Sequence, residues 1–276
     1  MNEYEIRDIE LNLLLEALYQ RYGYDFRSYA RASIDRRVRS FLVTAGCASI
    51  SALIPMIMHD ETVFSRLAQA LSITVTEMFR DPFVYRAMRQ QVIPILRTWP
   101  HIKVWHAGCA TGEEVYSVAI LLHEEGLYER SIIYATDFND EALARARDGI
   151  YELDRMREFT KSYQEAGGRN SFSDYYHARY NSAVISPRLK SNITFANHNL
   201  AADGVFGEMH LVICRNVLIY FNGDLKNRAL KLFSDSLVNG GFLCIGTKED
   251  LQFSSVASGF SVVDQKARIY KRGVES

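Results

Sequence analysis

VWHAGCATGEEVY, Val104 to Tyr116, reads as the end of a short apolar strand, a turn with two glycines, and the opening of a helix. Such a unit belongs to open α/β sheets, whose ligands sit beyond the carboxyl ends of the strands. The common tenant of a glycine turn is a phosphate, held by backbone N–H groups and the helix dipole. Here Gly108 and Gly112 do not make the GxGxxG spacing that admits a pyrophosphate, and Glu113 and Glu114 follow at once. Two carboxylates would repel a dinucleotide, which disfavours a nicotinamide cofactor and suits a cationic ligand without phosphate. A blander alternative stays open, since acids at a helix N-terminus complement its dipole whatever the ligand.

Outward from this turn, the chain after about Trp99 alternates strand, turn and helix. Candidate strands are Lys103–His106, Ile132–Thr136, Ile193–Ala196, Leu211–Cys214 and Phe242–Ile245. Two more, Gly259–Asp264 and Ala267–Lys271, flank a tight Gln265–Lys266 turn and predict an antiparallel hairpin at one edge. Helical segments Glu113–Glu124, Asp140–Arg147 and Asp224–Leu237 fall between strands, the rhythm of a doubly wound parallel sheet. From 149 to 192 the rhythm breaks into a polar stretch rich in Tyr and Arg, read as an insertion of loops and small strands. The first 75 residues are helical in pattern and predict a small all-α domain. Ile9, Leu13, Leu14 and Ala17 follow helix spacing, as do Ile34, Val38 and Leu42; two more helices are expected around Ala52–Met58 and Glu61–Leu71. Residues 76–98 are taken as a linker that contributes to the ligand site, and 99–276 as the sheet domain.

With 276 residues, 48% apolar and 24% charged, the chain can bury a substantial core. A net charge of −1 leaves no global field for nucleic acid or an anionic membrane. MNEYEIRDIE has no apolar signal region, no run approaches 18 apolar residues, and four scattered cysteines form no CxxC pair. Those features predict a cytoplasmic protein without a metal site, a disulfide framework or a membrane-inserted segment.

Three further stretches carry chemistry. IIYATD ends a strand at Asp137, 25 residues beyond Gly112, where an acid can accept a ribose diol; capping the next helix is the alternative, although Asn139 or Asp140 could do that. LVICRNVLIYFN runs from a buried strand into Arg215 and Asn216, with Tyr220 following, and SITVTEMFRDP places Thr74, Thr76 and Arg80 just before the sheet. S-adenosylmethionine has the chemistry the turn and Asp137 ask for: a sulfonium, an amino group, a ribose and no phosphate.

In order, TVTEMFRD, HAGCATGEEVYS, YATDFNDEALARARDGIY, NHNL and CRNVLIYF resemble the CheR-type chemoreceptor glutamate methyltransferases over nearly the whole chain. The resemblance implies a Rossmann-like class I methyltransferase sheet, a helical N-terminal domain and a small inserted β-subdomain. It implies methyl transfer from S-adenosylmethionine to receptor glutamates, with S-adenosylhomocysteine as product. Cofactor contacts carry over to Thr74, Thr76, Arg80, Glu114, Asp137, Asn199, Leu200, Arg215 and Asn216, with Arg80 and Tyr220 beside the transferred methyl. Two departures stand out: Thr74 where the family usually has Asn, and Gly246-Thr247-Lys248-Glu249 where it usually has a GHSE-like string.

The resemblance also gives a meaning to Arg27, Arg31, Arg36, Arg37 and Arg39, a basic helical face opposed to a single Asp35. Receptor methylation regions are acidic, so these arginines are expected to dock the chemoreceptor cytoplasmic domain by charge. A solvated helix face is the alternative. The chain is expected to act as a monomer. Methylation of a small molecule or a nucleic acid, and a non-catalytic adaptor that only binds S-adenosylmethionine, are the rival functions.

Overall fold

A computed structural model describes residues 2–71 and 76–273, which cluster into two units. The smaller comprises residues 2–71 with 219–228, and the larger comprises 76–218 with 229–273.

The smaller unit is built on α1 (Glu3–Tyr22), α2 (Arg31–Ala45), α3 (Ile50–His59) and α4 (Glu61–Leu71). Asn2 and Glu5 form a capping box that satisfies the first N–H groups of α1, and Gly23, at φ 75°, closes its far end. The buried stripe of α1 is Leu11, Leu14, Leu15 and Leu18; Ile9 and Leu13, expected inside, are 48% and 55% exposed. The four leucines at i, i+3, i+4 and i+7 outcompete the neighbouring apolar pattern for the core. On α2, Phe41 joins Ile34 and Val38 inside while Leu42 is half-buried, because a helix repeats every 3.6 residues and not every four. Pro55 falls inside α3 and not in its first turn. The 219–228 segment joins these helices through the Ala30 N–H, which donates to the Tyr220 carbonyl at 2.7 Å, and through a bridge between Tyr29 and Phe221.

In the larger unit, residues 76–98 are mostly helical: α5 (Pro82–Ala87), a π-helical turn (Met88–Val92) and α6 (Ile93–Leu96). Val84, Met88, Val92 and Leu96 recur every four residues and are all buried in the main core, so this connection is part of the domain. The sheet strands are β1 (Ile102–Ala107), β2 (Ser131–Asp137), β6 (Ile193–Asn197), β7 (Met209–Cys214), β8 (Leu237–Ile245), β9 (Phe260–Asp264) and β10 (Ile269–Arg272), in the order β6-β2-β1-β7-β8-β10-β9. The pairs from β6 to β8 are parallel, and β10 is antiparallel to both neighbours. Helices α7 (Glu113–Glu124), α8 (Asp140–Asp148) and α10 (Gly223–Ser236) link the strands. The order reverses between β1 and β7, the switch point where doubly wound sheets bind ligands.

The insertion forms a second sheet, β3 (Ile150–Glu152), β4 (Tyr176–Arg179) and β5 (Ser182–Ile185), in the order β3-β5-β4 and antiparallel throughout. It also contains a helix that the sequence reading missed, α9 (Met156–Glu165), with Met156, Phe159 and Tyr163 buried.

Candidate methyl-donor site

At the tip of β1 the chain turns over Gly108, φ 73°, where a Cβ would stand 2.6 Å from Val217 Cγ2. Only glycine meets both the backbone angle and the closeness. The Gly108 and Cys109 N–H groups donate to the Thr136 carbonyl, at 2.8 and 2.9 Å, and tie the turn to β2. Asp137 closes it further: Oδ2 accepts the Ala110 N–H at 2.9 Å and Oδ1 accepts the Asn139 N–H at 3.0 Å. The cap of α8 is Asn139, whose Oδ1 accepts from Glu141 and Ala142, so Asp137 does not serve that purpose. Burial pushes the Asp137 carboxyl above its ordinary pKa, against the pull of those backbone donors.

The two glutamates after Gly112 part company. Glu113 accepts the Thr111 hydroxyl at 2.7 Å and Arg155 Nη1 at 3.0 Å. Burial raises its pKa. Glu114 looks instead toward β1 and β7. One of its oxygens receives Arg215 Nη1 and lies 3.4 Å from the Tyr85 hydroxyl, while the other is 3.5 Å from His106 Nε2. Desolvation is the largest single influence on Glu114 and pushes its pKa up. The combined pull of Arg215, His106 and Tyr85 outweighs it and holds the carboxyl below the usual range. His106, 1% exposed, sits between Ala135 of β2 and Ile213 of β7, and burial lowers its pKa so that the ring is neutral.

Arg215 gathers the rest. It is 4% exposed and its Nη2 binds Asp81 Oδ2 at 2.6 Å, while Nη1 also donates to the Arg80 carbonyl at 3.2 Å. Phe79 and Asp81 both have positive φ, 55° and 54°, as does Asn216 at 61°. Non-glycine residues in that region are strained, and such strain collects at ligand sites. Phe79 is held in place by its buried ring and by its N–H, which donates to Ser117 Oγ at 2.9 Å. Behind Asn216 runs Gly246, where a Cβ would lie 2.8 Å from the Asn216 nitrogen.

The structure thus joins Glu114, Arg215 and the Arg80 carbonyl in one cluster, with Asn216 next in the chain and Asp137, at the end of β2, bonded to the β1 turn. The His198 N–H donates to the Asp137 carbonyl at 3.1 Å, and Asn199 and Leu200 follow directly in the chain. Thr76 is reached through its carbonyl, which accepts Arg155 Nη2 at 2.7 Å. Thr74 lies outside the described residues. Tyr220 belongs to the helical unit, half-buried, with the Arg37 guanidinium carbon 6.0 Å from its ring centre. Asp81, His106 and Arg155 were not singled out from sequence. Asp81 follows Arg80 directly in the sequence, while the Arg155 contact spans 42 residues, beyond any local pattern.

The expected docking face looks different in the structure. Arg27 pairs with Asp25 and Glu16, Arg31 with Asp8, and Arg39 with Asp35. Arg37 is half-buried and donates to the Ala70 carbonyl at 3.1 Å, whereas Arg36 is exposed.

The polar chain Asp81–Arg215–Glu114, buried at Arg215 and Glu114, sums to one negative charge with His106 neutral, and Asp137 stands nearby as a further acid. Both His106 ring nitrogens and Arg215 Nε are buried without a hydrogen-bond partner among the described residues. This donor set fits a ligand carrying ammonium and sulfonium charge together with a ribose, and would repel a pyrophosphate. Glu114, Asp137, Asn199, Arg215 and Asn216 would hold it. A doubly wound sheet with such a site is that of an S-adenosylmethionine-dependent methyltransferase.

Family comparison narrows the class. Residues 74–269 match the CheR methyltransferase SAM-binding domain and residues 9–72 the CheR all-alpha domain. The chain belongs to the CheR methyltransferase family. It is similar to "Putative methyltransferase Cher3" of Pseudomonas putida, 53% identical over 96% of this chain and 97% of that one. It is also similar to the chemotaxis protein methyltransferase of Listeria innocua, 30% identical over 83% of this chain and 85% of the other. Chemotaxis protein methyltransferase 1 of Pseudomonas aeruginosa is 26% identical over 79% of this chain and 81% of its own length.

Proposed function

We propose that this protein is a protein-glutamate O-methyltransferase that methylates chemoreceptor cytoplasmic domains for adaptation in chemotaxis-like signalling. The observation that carries the reading is the charge layout at the β1 and β7 tips. Glu114 and Asp81 flank Arg215 there, and the Arg80 carbonyl accepts from the same guanidinium, which supports Arg80 as the nearby cation for a carboxylate. The relatives named for chemotaxis support the receptor as substrate.

Bound S-adenosylmethionine would supply an electrophilic methyl, which moves to a glutamate carboxylate oxygen as the C–S bond breaks and the sulfonium becomes a neutral thioether. A glutamate side chain is ionised at pH 7, its reference pKa being about 4.3, so no general base is needed. The chain's task is alignment and exclusion of water. Glu114 would receive the donor's ammonium group, Asp137 the ribose hydroxyls, and Arg80 would orient a carboxylate. Tyr220 is assigned beside the methyl on the family resemblance alone.

Receptor docking is assigned to Arg27 and the α2 arginines Arg31, Arg36, Arg37 and Arg39, with Arg36 foremost. The ion pairs of Arg27, Arg31 and Arg39 are part-exposed, and such pairs are worth only about 0–1 kcal/mol, so an acidic receptor surface can compete for them. Arg37 is better suited to holding α2 against the end of α4. A cytoplasmic location follows from this substrate. Among the described residues no single helix is long and apolar enough to cross a membrane.

Incubation with methyl-labelled S-adenosylmethionine and candidate receptor cytoplasmic domains, with and without their C-terminal tails, tests the proposal. The label should be released as methanol in mild alkali, the signature of a glutamyl ester. A base-stable label would refute the ester chemistry. Arg80→Ala should lose most transfer while remaining folded, and unchanged turnover would remove Arg80 from its role.

A further inference from the structure

The inserted segment reaches back to the donor turn at two points. The Tyr151 hydroxyl, at the start of the insertion, donates to the Thr111 carbonyl at 2.8 Å. Four residues on, the Arg155 guanidinium forks: Nη1 donates to Glu113 Oε1 at 3.0 Å and Nη2 to the Thr76 carbonyl at 2.7 Å. The same guanidinium lies over the Phe159 ring, 4.7 Å from its centre, and Phe159 is fixed in the core by α9. A planar fork held on an aromatic face loses little freedom when it makes both bonds. Glu113 is 2% exposed, and Arg155 is its cationic partner.

We propose that Arg155 is a positioning residue for the methyl donor: it clamps the first turn of α7 to the Thr76 segment and makes the inserted subdomain a wall of the donor site. This rests on reading the β1 turn as the S-adenosylmethionine site. Of the carried-over donor contacts, Thr76 is held by the clamp itself through its carbonyl, and Glu114 is the residue next to Glu113. Losing Arg155 would release the Thr76 carbonyl and leave a buried carboxylate without its cationic partner at the head of α7.

Calorimetric titration with S-adenosylhomocysteine tests this on the wild type, Arg155→Ala, Arg155→Lys and Arg157→Ala, the last an exposed neighbour that removes the same charge. Loss of two hydrogen bonds from a charged donor should weaken binding about tenfold or more in Arg155→Ala. Arg155→Lys, which can keep one bond, should fall between, and Arg157→Ala should match the wild type within about twofold. In turnover, donor KM should rise with kcat retained. Arg155→Ala binding within twofold of wild type, an equal loss in Arg157→Ala, or a fall in kcat with donor KM unchanged would overturn the proposal. If Arg155→Ala does not fold, Glu113→Gln with Arg155→Ala leaves no unpaired charge and should show the same weakened titration. Failure of the wild type itself to bind would overturn the donor reading, and the clamp with it.

Discussion

Glu114→Gln strikes the charge on which the donor reading depends. The exchange keeps the side-chain shape and an oxygen for Arg215 and Tyr85, but removes one negative charge from a pocket where His106 is neutral. Arg215 keeps Asp81 at 2.6 Å, so its guanidinium is not stranded. The folding cost should therefore fall below the roughly 3–5 kcal/mol of an uncompensated buried pair, at about 1–2 kcal/mol. Binding should suffer more visibly. A hydrogen bond to a charged group is worth about 1.5–3 kcal/mol, equal to an affinity loss of about 10- to 150-fold. Titration with S-adenosylhomocysteine, which keeps the ammonium group, reads that loss directly. Stability carries a second signature. The Glu114 carboxyl is held below its ordinary pKa, so its stabilising contribution is complete above the unfolded value of about 4.3 and fades as pH drops through the lower folded value. The variant should thus fall behind the wild type in urea unfolding at pH 7 and converge with it in acid. Affinity within twofold of wild type, or a stability deficit independent of pH, would refute the reasoning.

Gly108→Ala forces a Cβ into a left-handed turn 2.6 Å from Val217, and should cost about 1–2 kcal/mol from the backbone alone, a Tm drop of roughly 2–8 °C by calorimetry. An unchanged Tm would show that the turn relaxes freely. His106, kept neutral by burial, should make the wild type lose stability as pH falls below the unfolded value of about 6.5 and through the lower folded value. His106→Gln should flatten that slope between pH 7 and 5.5, and parallel slopes would exclude the assignment. Arg36→Glu with Arg39→Glu should cut receptor methylation about tenfold at low salt, less at high salt, and spare S-adenosylhomocysteine binding. Full methylation at low salt would end the docking role of α2.

How much was legible can be read residue by residue. The alternation of short apolar strands with helices, the glycine turn and the hairpin at the edge were all local patterns, and Glu113–Glu124 and Glu61–Leu71 emerge with the expected limits. Local patterns also misled where two candidate stripes overlapped, as in α1, since burial depends on what the facing helices offer. The π-containing helix after Pro82 hid behind its proline, although Val84, Met88, Val92 and Leu96 repeat every four. In the insertion, Met156, Phe159 and Tyr163 had helix spacing but stood among so many polar residues that the pattern was passed over.

The amino-acid sequence by itself determined the fold class, the place of the turn and the sign of its charge, because these follow from hydrophobic period, glycine spacing and residue type. Residue type and spacing did not separate Glu113 from Glu114; the family resemblance picked out Glu114, and the tertiary structure shows how their partners differ. Adjacent on the chain and alike in charge, they point about 100° apart around a helix. One meets Arg155 of the insertion, and the other meets Arg215, 101 residues away on β7's tip. Which partner each acid meets is decided by long-range pairing, and no local rule of sequence contains that information.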